Sequence, residues 1–513
     1  MNGADMACDA LLGNGVDTWF ANPGTSEMHL VAALDRKPEI RCILGLEEGV
    51  VSGAADGYAR MKEKPAATLL HCGPGLANGL ANLHNARRAR TPVINIVGDH
   101  ASYHLAFDAP LTSDIESLAR PMSHWVGRVG HADEVSDRIG EAYSAAMTAP
   151  GVATLIIPAD AAWTETAERT VVPQILPVRT FSDASVAAAV SALRSDANVM
   201  LLLSGDALRG EALASAAAIC GATGARMAAA VANGRIERGA SRPVIHPIPY
   251  PVDLAVAVLR DVNILICVGP QAPPAFFAYP GKPSRLVPEH CKVLQLASFE
   301  DDLKGVLRAV ADGVRARPVP YGRNLCRPNS PVAGRLTGAA LAAIVARHLP
   351  DGAIVCEEAI TSAREFFALS MDGPAHDYLA LTGGAIGAGI PLAIGAAVAC
   401  PGRKIIGLQA DGSGMYTVQG LWTQARERLD IVTVILANHT YAVLHGEMRN
   451  VGVGEPGKNA RRMLDLDDPA LDWVSIARGM GVAAERADTV ERFDAIFAAA
   501  VKRSGPFLIE AVI

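Results

Sequence analysis

The chain has 513 residues, of which 50% are apolar and 19% are charged. This length exceeds what one hydrophobic core supports, and the composition is that of a compact α/β protein rather than a disordered one. A net charge of −7 argues against a nucleic-acid or membrane-surface partner, and no apolar run reaches the ~18 residues that a membrane span needs. The nine cysteines form no C-x-x-C pair and the amino terminus lacks a basic signal segment, so we expect a reducing, cytoplasmic location.

Short apolar runs alternate with helical patterns in three successive segments, which predicts three doubly wound parallel-sheet α/β domains. We expect these domains over residues 1–165, 185–314 and 336–513, with an aperiodic linker over 161–184 and a Pro/Arg-rich boundary over 315–331. The predicted strands of the first two domains are 18–21, 42–46, 67–70, 92–97, 153–157, 199–203, 263–268 and 292–295.

In the first segment, three motifs follow predicted strands and so lie at the carboxyl edge of the sheet, where ligands bind. The turn N-P-G-T-S-E at 22–27 exposes hydroxyl groups there, although it is also a common turn and helix cap. Glu48 begins a helix rich in small residues, so its carboxyl would face an apolar interface. There it would have a raised pKa and could share a proton with a ligand nitrogen. The alternative is that Glu47 and Glu48 form a solvent-facing pair that caps the helix. His71 precedes a G-P-G turn and is either a ligand-binding or a structural histidine.

The third segment contains a predicted βαβ unit, with strands over 404–409 and 431–437 and a helix over 415–429. A right-handed crossover makes the strands parallel and brings Asp411 and Asn438 together at their carboxyl ends. A carboxylate and an amide oxygen suit Mg²⁺ or Ca²⁺, while Gly412 and Ser413 would let a phosphate approach the backbone and the helix start. The pattern therefore predicts a metal-bridged diphosphate site, against the alternative of a helix cap and an ordinary turn.

Taken in order, these motifs resemble the thiamine-diphosphate-dependent decarboxylases and carboligases, which include acetolactate synthase large subunits, benzoylformate decarboxylase and pyruvate decarboxylase. The resemblance spans essentially the whole chain. It rests on N-P-G-T-S-E, on Glu48 eight residues before Asp56 of A-D-G-Y-A-R, on L-H-C-G-P-G at 70–75, on G-G-A-I-G at 383–387, and on D-G-S at 411–413 with Asn438. It implies a pyrimidine-binding domain, a central domain and a diphosphate-binding domain, with active sites between the subunits of a homodimer at minimum and commonly of a homotetramer.

The same resemblance implies roles for individual residues. Asp411, Asn438 and the backbone carbonyl of Thr440 would hold Mg²⁺ against the diphosphate. Glu48 would share a proton with the aminopyrimidine ring of a thiamine diphosphate bound mainly by the other subunit, and His71 and Thr25 match positions that orient the substrate carboxylate and shuttle protons. The remaining cofactor contacts would be Gly384 as a backbone acceptor, Ile386 as an apolar wedge, Thr361 at the diphosphate, and Gly412, Ser413 and Leu444.

The chain departs from benzoylformate decarboxylase in the central domain, where the stretch 273–280 lacks the second active-site histidine. His104 is either a partial substitute or a loop histidine. The missing histidine argues against product release by protonation and favours carboligation, or a pocket lined by Phe276 or Phe277. The arginine-bearing motif with which acetolactate synthases hold FAD is also missing, and we expect no flavin.

We therefore predict a thiamine-diphosphate- and Mg²⁺-dependent enzyme that decarboxylates a 2-oxo acid, joins it to a second carbonyl compound, or does both. One alternative is a lyase or hydrolase of the same family that cleaves a C–C bond without losing CO₂. The other is a nucleotide- or flavin-binding protein without thiamine chemistry, which has no need of a carboxylate at Glu48.

Overall fold

The computed structural model describes residues 1–167 and 170–513. Its N-terminal sheet contains six parallel strands in the order β2-β1-β3-β4-β6-β5. The strands are β1 (Thr18–Asn22), β2 (Arg41–Leu44), β3 (Ala66–Leu70), β4 (Val93–Asp99), β5 (Trp125–Arg128) and β6 (Val152–Pro158). The helices around them are α1 (Gly3–Gly13), α2 (Met28–Asp35), α3 (Glu48–Lys62), α4 (Cys72–Ala89), α5 (Ile115–Ala119), α6 (Val135–Thr148) and α7 (Ala159–Trp163).

The central sheet has four parallel strands in the order β11-β10-β7-β8. Its strands are β7 (Val199–Leu203), β8 (Arg226–Ala229), β10 (Ile264–Gly269) and β11 (Lys292–Ser298), and its helices are α8 (Asp183–Leu193), α9 (Gly210–Thr223), α10 (Val252–Leu259) and α11 (Leu303–Gly313). The predicted linker joins α7 to α8 without a further helix in its described part, and residues 168 and 169 of that linker lie outside the described residues.

The C-terminal sheet has seven strands in the order β16-β17-β15-β14-β12-β13-β9, of which β9 (Ile236–Arg238) comes from the segment predicted as the central domain. It pairs antiparallel with β13 and so covers that edge of an otherwise parallel sheet. The other strands are β12 (Ala353–Glu358), β13 (His376–Ala380), β14 (Ile405–Ala410), β15 (Ile431–Ala437), β16 (Ala483–Ala487) and β17 (Phe507–Val512). The helices are α12 (Gly338–His348), α13 (Arg364–Leu369), α14 (Gly389–Ala399), α15 (Asp411–Gly414), α16 (Gly420–Arg426), α17 (Ala442–Asn450), α18 (Lys458–Leu464), α19 (Trp473–Gly479) and α20 (Val490–Ala500).

Helices α3 and α14 join the N-terminal and C-terminal sheets through small residues. A Cβ atom added at Gly57 would lie 2.3 Å from the carbonyl oxygen of Leu392, and one at Gly395 would lie 1.9 Å from that of Ala54. Only glycine permits backbones to approach so closely. The two sheets consequently share one apolar core, which contains Val50 of α3 and Ile390 of α14.

The prediction of one helix over 415–429 is wrong in detail, because the structure has a 3₁₀ turn at Met415–Thr417 and then the short helix α16, which ends at Arg426. The glycine that ends α15 and the glycine that begins α16 are both required by distant contacts. A Cβ atom at Gly414 would lie 2.8 Å from the Trp473 ring, and one at Gly420 would lie 2.7 Å from Ile390. The predicted fold class is confirmed. Within residues 1–167 and 170–513, no helix combines the length and the apolar character that crossing a membrane requires.

Candidate active site

The carboxyl ends of β14 and β15 bring Asp411 beside the turn that contains Asn438 and Thr440. The two strands are parallel neighbours, with Ala410 paired with Leu436. Oδ2 of Asp411 accepts a 2.7 Å hydrogen bond from the amide of His439, and Oδ1 of Asn438 accepts a 3.1 Å bond from the amide of Thr440. His439 has a φ of 55°, which gives the turn its sharp reversal. The carboxylate and amide side chains expected to share a cation thus lie on adjoining loops.

Burial sets the chemistry of Asp411, which is 2% exposed. Desolvation raises the pKa of its carboxyl above the ordinary value, while hydrogen bonds from the amides of His439 and Gly412 oppose the rise. A bound cation would favour the ionised form.

Gly412 and Ser413 have structural partners that the sequence did not predict. A Cβ atom at Gly412 would lie 2.4 Å from the ring of Tyr441, so glycine is required there by packing. The hydroxyl of Ser413 accepts a 2.6 Å hydrogen bond from Nε2 of Gln409 inside the protein. The backbone of this short helix start, rather than the Ser413 hydroxyl, therefore remains for a phosphate.

Thr361 lies in the turn after β12, close to the turn 438–440. Its neighbour Ser362 is the residue that makes contact, because its hydroxyl accepts a 3.3 Å hydrogen bond from Nδ2 of Asn438. Ile360 has a φ of 57°, an unfavourable value for a β-branched residue, and the carboxylate of Glu357 holds the turn by accepting bonds from the amides of Ala359 and Ile360.

The segment 383–387, which we call the wedge loop, contains Gly384 and the half-buried Ile386. Asn85 of α4 holds one side of the loop, since its Nδ2 donates to the carbonyl of Ala385 at 2.7 Å and its Oδ1 accepts from the amide of Gly383 at 3.1 Å. Gly384 has a φ of 78°, and a Cβ atom there would lie 2.9 Å from the ring of Phe276. The central segment thus supplies an aromatic side chain that covers the loop.

Glu358 at the end of β12 holds the other side of the wedge loop. Its carboxylate accepts 2.6 Å hydrogen bonds from the amides of Gly387 and Gly389. Burial raises its pKa to about 7. The sequence motifs did not single out this residue.

Glu48 is the first residue of α3 but does not cap it. Glu47 is the cap, and its carboxylate accepts a 3.0 Å hydrogen bond from the amide of Val50. The half-buried Glu48 instead accepts a 3.0 Å hydrogen bond from Nδ2 of Asn78, beside the exposed side chain of Leu46. The Glu48 carboxylate is thus held at the surface and is not used to cap the helix.

His71 belongs to a hydrogen-bonded cluster at the ends of β1 and β3. Its Nδ1 lies 2.8 Å from Oε2 of the fully buried Glu27 and 3.1 Å from the hydroxyl of Ser26. A Cβ atom at Gly24 would lie 2.2 Å from the His71 ring, so the turn glycine makes room for the imidazole. Thr25 is exposed at the same edge, and the residues that touch His71 are its neighbours Ser26 and Glu27.

Glu27, His71 and Cys72 place potential ligand atoms within 4.8 Å of one another and form the one such metal-like group found in the described residues. Burial raises the pKa of the Cys72 thiol to about 11, and its sulfur lies 3.3 Å from the hydroxyl of Ser26. A thiol with this pKa is protonated at neutral pH in the absence of a metal ion. Hydrogen bonds join Ser26 to both His71 and Cys72, and His71 to Glu27, within this cluster.

Aromatic side chains lie around the covered side of Gly384. Phe276 packs on Tyr250 and Phe277, with ring centroids 5.2 Å and 4.9 Å apart. Leu444 on α17 is 41% exposed, which leaves it available to a ligand.

His104 packs between His100 and Phe107, at 5.5 Å and 5.7 Å between centroids, in the loop after β4.

Comparison with known proteins agrees with this arrangement at both ends of the chain. The thiamine pyrophosphate enzyme N-terminal TPP binding domain matches residues 1–118, and the corresponding C-terminal TPP binding domain matches residues 361–511. The chain is 47% identical to a Mycobacterium tuberculosis protein provisionally named acetolactate synthase large subunit IlvX, over 100% of this chain and 99% of the relative. The chain belongs to the thiamine pyrophosphate enzyme family.

Other family members align over nearly their full lengths. Benzoylformate decarboxylase of Pseudomonas aeruginosa is 30% identical, over 97% of this chain and 96% of that protein. The fold matches that of a thiamine diphosphate-dependent 4-hydroxybenzoylformate decarboxylase from Rhodococcus jostii RHA1, with a TM-score of 0.87, 24% identity and coverage of 99% and 98%. The protein is therefore a thiamine-diphosphate-dependent enzyme of the acetolactate synthase and benzoylformate decarboxylase type, as the motifs predicted.

Proposed function

We propose that this thiamine pyrophosphate enzyme also requires Mg²⁺ and acts on a 2-oxo acid, by decarboxylation, by carboligation or by both. The observation that supports this most strongly is the junction between Asp411 and the turn 438–440, where Oδ2 of Asp411 meets the amide of His439 at 2.7 Å. It brings a buried carboxylate beside a turn that carries an amide side chain and a backbone carbonyl. Such oxygen ligands suit Mg²⁺, which completes its coordination with phosphate oxygens and water.

The proposed metal ligands are Asp411, Asn438 and the carbonyl of Thr440. Burial makes an uncompensated charge on Asp411 unfavourable, so a bound cation would stabilise the ionised carboxyl. The diphosphate would then lie against the backbone of Gly412 and Ser413 and the turn of Thr361, at the start of α15.

The wedge loop would hold the rest of the cofactor. Gly384 would offer its carbonyl to the cofactor, Ile386 would support it from below, and Leu444 would contribute apolar surface. When bound, thiamine diphosphate supplies a nucleophilic carbon and an electron sink for cleavage of the bond beside a carbonyl.

Glu48 would hold or give up a proton at the pyrimidine ring of a cofactor whose diphosphate is bound by the other subunit. Its carboxylate is not used to cap the helix, because Glu47 does so. The exposed Leu46 next to it would become covered when two chains assemble. We propose a homodimer as the smallest active unit and a homotetramer as the complete assembly.

His71 would bind the carboxylate of the substrate or move a proton at the product. Glu27 lies 2.8 Å from Nδ1 and orients the imidazole, so that Nε2 is the nitrogen directed to a substrate. Thr25 contributes a hydroxyl at the same edge. General acid-base assistance of this kind is typically worth about 10² to 10⁴ in rate.

The experiment is to load the purified protein with thiamine diphosphate and Mg²⁺ and to measure CO₂ release from pyruvate and from benzoylformate, with a diketone as the non-decarboxylated comparison. We expect CO₂ from at least one 2-oxo acid, and loss of that signal in Glu48→Gln. Cleavage of the diketone without CO₂ from any 2-oxo acid would contradict the proposal and favour a lyase or hydrolase.

A further inference from the structure

Glu358 is a buried carboxylate with an unusual set of partners. It is 1% exposed, and its donors are the amides of Gly387 and Gly389, each at 2.6 Å, and Nε2 of Gln409 at 3.1 Å. No lysine, arginine or histidine forms an ion pair with it anywhere in residues 1–167 and 170–513. A buried carboxylate without a cation is costly and is kept only where its hydrogen bonds are needed.

The need for these bonds follows from the backbone of the wedge loop. Gly384 and Gly387 have φ values of 78° and 93°, so the loop turns through two residues that impose little conformational restraint of their own. Its shape therefore depends on external contacts. Asn85 supplies them at Gly383 and Ala385, and Glu358 supplies them at Gly387 and at the start of α14.

Glu358 also connects the wedge loop to the diphosphate side of the site. It lies beside Gln409 in the pairing of β12 with β14. Nε2 of Gln409 donates both to Oε2 of Glu358 and to the hydroxyl of Ser413, the latter at 2.6 Å. One carboxylate thus fixes the distance between the loop expected to bend the cofactor and the segment expected to bind its diphosphate.

We propose that Glu358 is a positioning residue that sets the bent conformation of bound thiamine diphosphate by tying the wedge loop to the segment 411–413. This inference rests on the proposed cofactor site and concerns its geometry rather than its affinity. The residues that would bind metal and diphosphate do not include Glu358. Its loss should therefore impair activation of the cofactor more than its binding.

The test compares full-length wild type with Glu358→Gln, which keeps the volume but removes one acceptor. Two quantities are measured without substrate, namely the affinity for thiamine diphosphate with Mg²⁺ and the rate at which the C2 proton of the bound cofactor exchanges for deuterium. We expect the exchange to slow by about tenfold to a hundredfold, as for a misplaced reacting group, while the affinity falls much less.

Glu510→Gln is the matched control, because Glu510 is also a fully buried carboxylate but accepts from the amide of Val474 and from Arg486. It should exchange like the wild type. Glu358→Asp keeps the charge with a shorter reach and should give an intermediate rate, which preserves the test if Glu358→Gln does not fold.

The inference is overturned if Glu358→Gln exchanges the C2 proton at the wild-type rate, or if its affinity for the cofactor falls as much as its exchange rate. It is also overturned if Glu510→Gln slows the exchange as much as Glu358→Gln does. A wild-type protein that binds no thiamine diphosphate would instead overturn the proposed cofactor site itself.

Discussion

The amide of His439 donates a 2.7 Å hydrogen bond to Oδ2 of Asp411 and so joins the ends of β14 and β15. Because Asn438 and Thr440 are neighbours of His439 in the same turn, this bond fixes Asp411 against the turn that carries the other two proposed metal ligands. Asp411 therefore both organises the turn and supplies its negative charge.

Asp411→Asn should weaken Mg²⁺-dependent binding of thiamine diphosphate by at least about a hundredfold, since losing a ligand costs no less than losing a residue that supports one. Asparagine can still accept the bond from His439, so the fold should survive. Calorimetric titration at several Mg²⁺ concentrations measures the change. Asp430→Asn, at the opposite edge of the sheet where Asp430 pairs with Lys404, should bind like the wild type. Equal affinity for thiamine diphosphate in the wild type, Asp411→Asn and Asp430→Asn would show that Asp411 is not a metal ligand.

The buried carboxyl of Glu358 should make the stability of the cofactor-free protein depend on pH. Its pKa rises from 4.5 in an unfolded chain to about 7 in the folded protein, so the folded state binds the proton more tightly. The stabilisation that comes from this bound proton is fully present below about pH 4.5 and is lost as the pH rises through about 7. The free energy of unfolding falls by about 3 kcal/mol over that range.

Glu358→Gln has no proton to lose at this site. Thermal unfolding of both proteins between about pH 5 and pH 8 should therefore show the wild type losing stability relative to the variant as the pH rises. A constant difference in the unfolding temperature across that range would contradict the raised pKa.

His71→Ala should lower kcat on the preferred 2-oxo acid by about 10² to 10⁴ and leave the affinity for thiamine diphosphate unchanged, because the imidazole serves the substrate. Glu27→Gln should act in the same direction with a smaller effect, since it changes the orientation of a histidine that is still present. Steady-state kinetics and cofactor titrations separate the two effects. Parallel loss of kcat and cofactor affinity in His71→Ala would indicate a structural histidine instead.

Phe276→Ala should change the choice between substrates, because this ring covers Gly384 of the wedge loop. We expect kcat/KM for benzoylformate to fall relative to pyruvate by about tenfold to a hundredfold, the range for one altered apolar contact. Phe277→Ala is the control, because Phe277 packs on Phe276, and it should have a smaller effect. An unchanged ratio in Phe276→Ala would exclude Phe276 from the pocket.

The sequence predicted the fold class and the meeting of Asp411 with the turn after β15, because both follow from local periodicity and strand ends. It did not predict that a 3₁₀ turn precedes α16, in a region where Gly414 and Gly420 pack against Trp473 and Ile390, far away in the chain. It also passed over Glu358, because the glycine amides that reveal its role lie on another segment. The sequence motifs pointed to Thr25 as the partner of His71 in the site, whereas the folded turn brings Ser26 and Glu27 to the His71 ring.

The central claim is that Asp411 of one subunit binds the cofactor which Glu48 of the partner subunit activates. The direct measurement uses a heterodimer of Glu48→Gln and Asp411→Asn chains, isolated through two different affinity tags. We expect it to bind about half as much thiamine diphosphate as the wild type, because each symmetric dimer has two equivalent sites and one is lost. The bound cofactor should exchange its C2 proton at the wild-type rate, since it meets an intact Glu48. Exchange as slow as in the Glu48→Gln homodimer would show that each chain activates its own cofactor and would contradict the account.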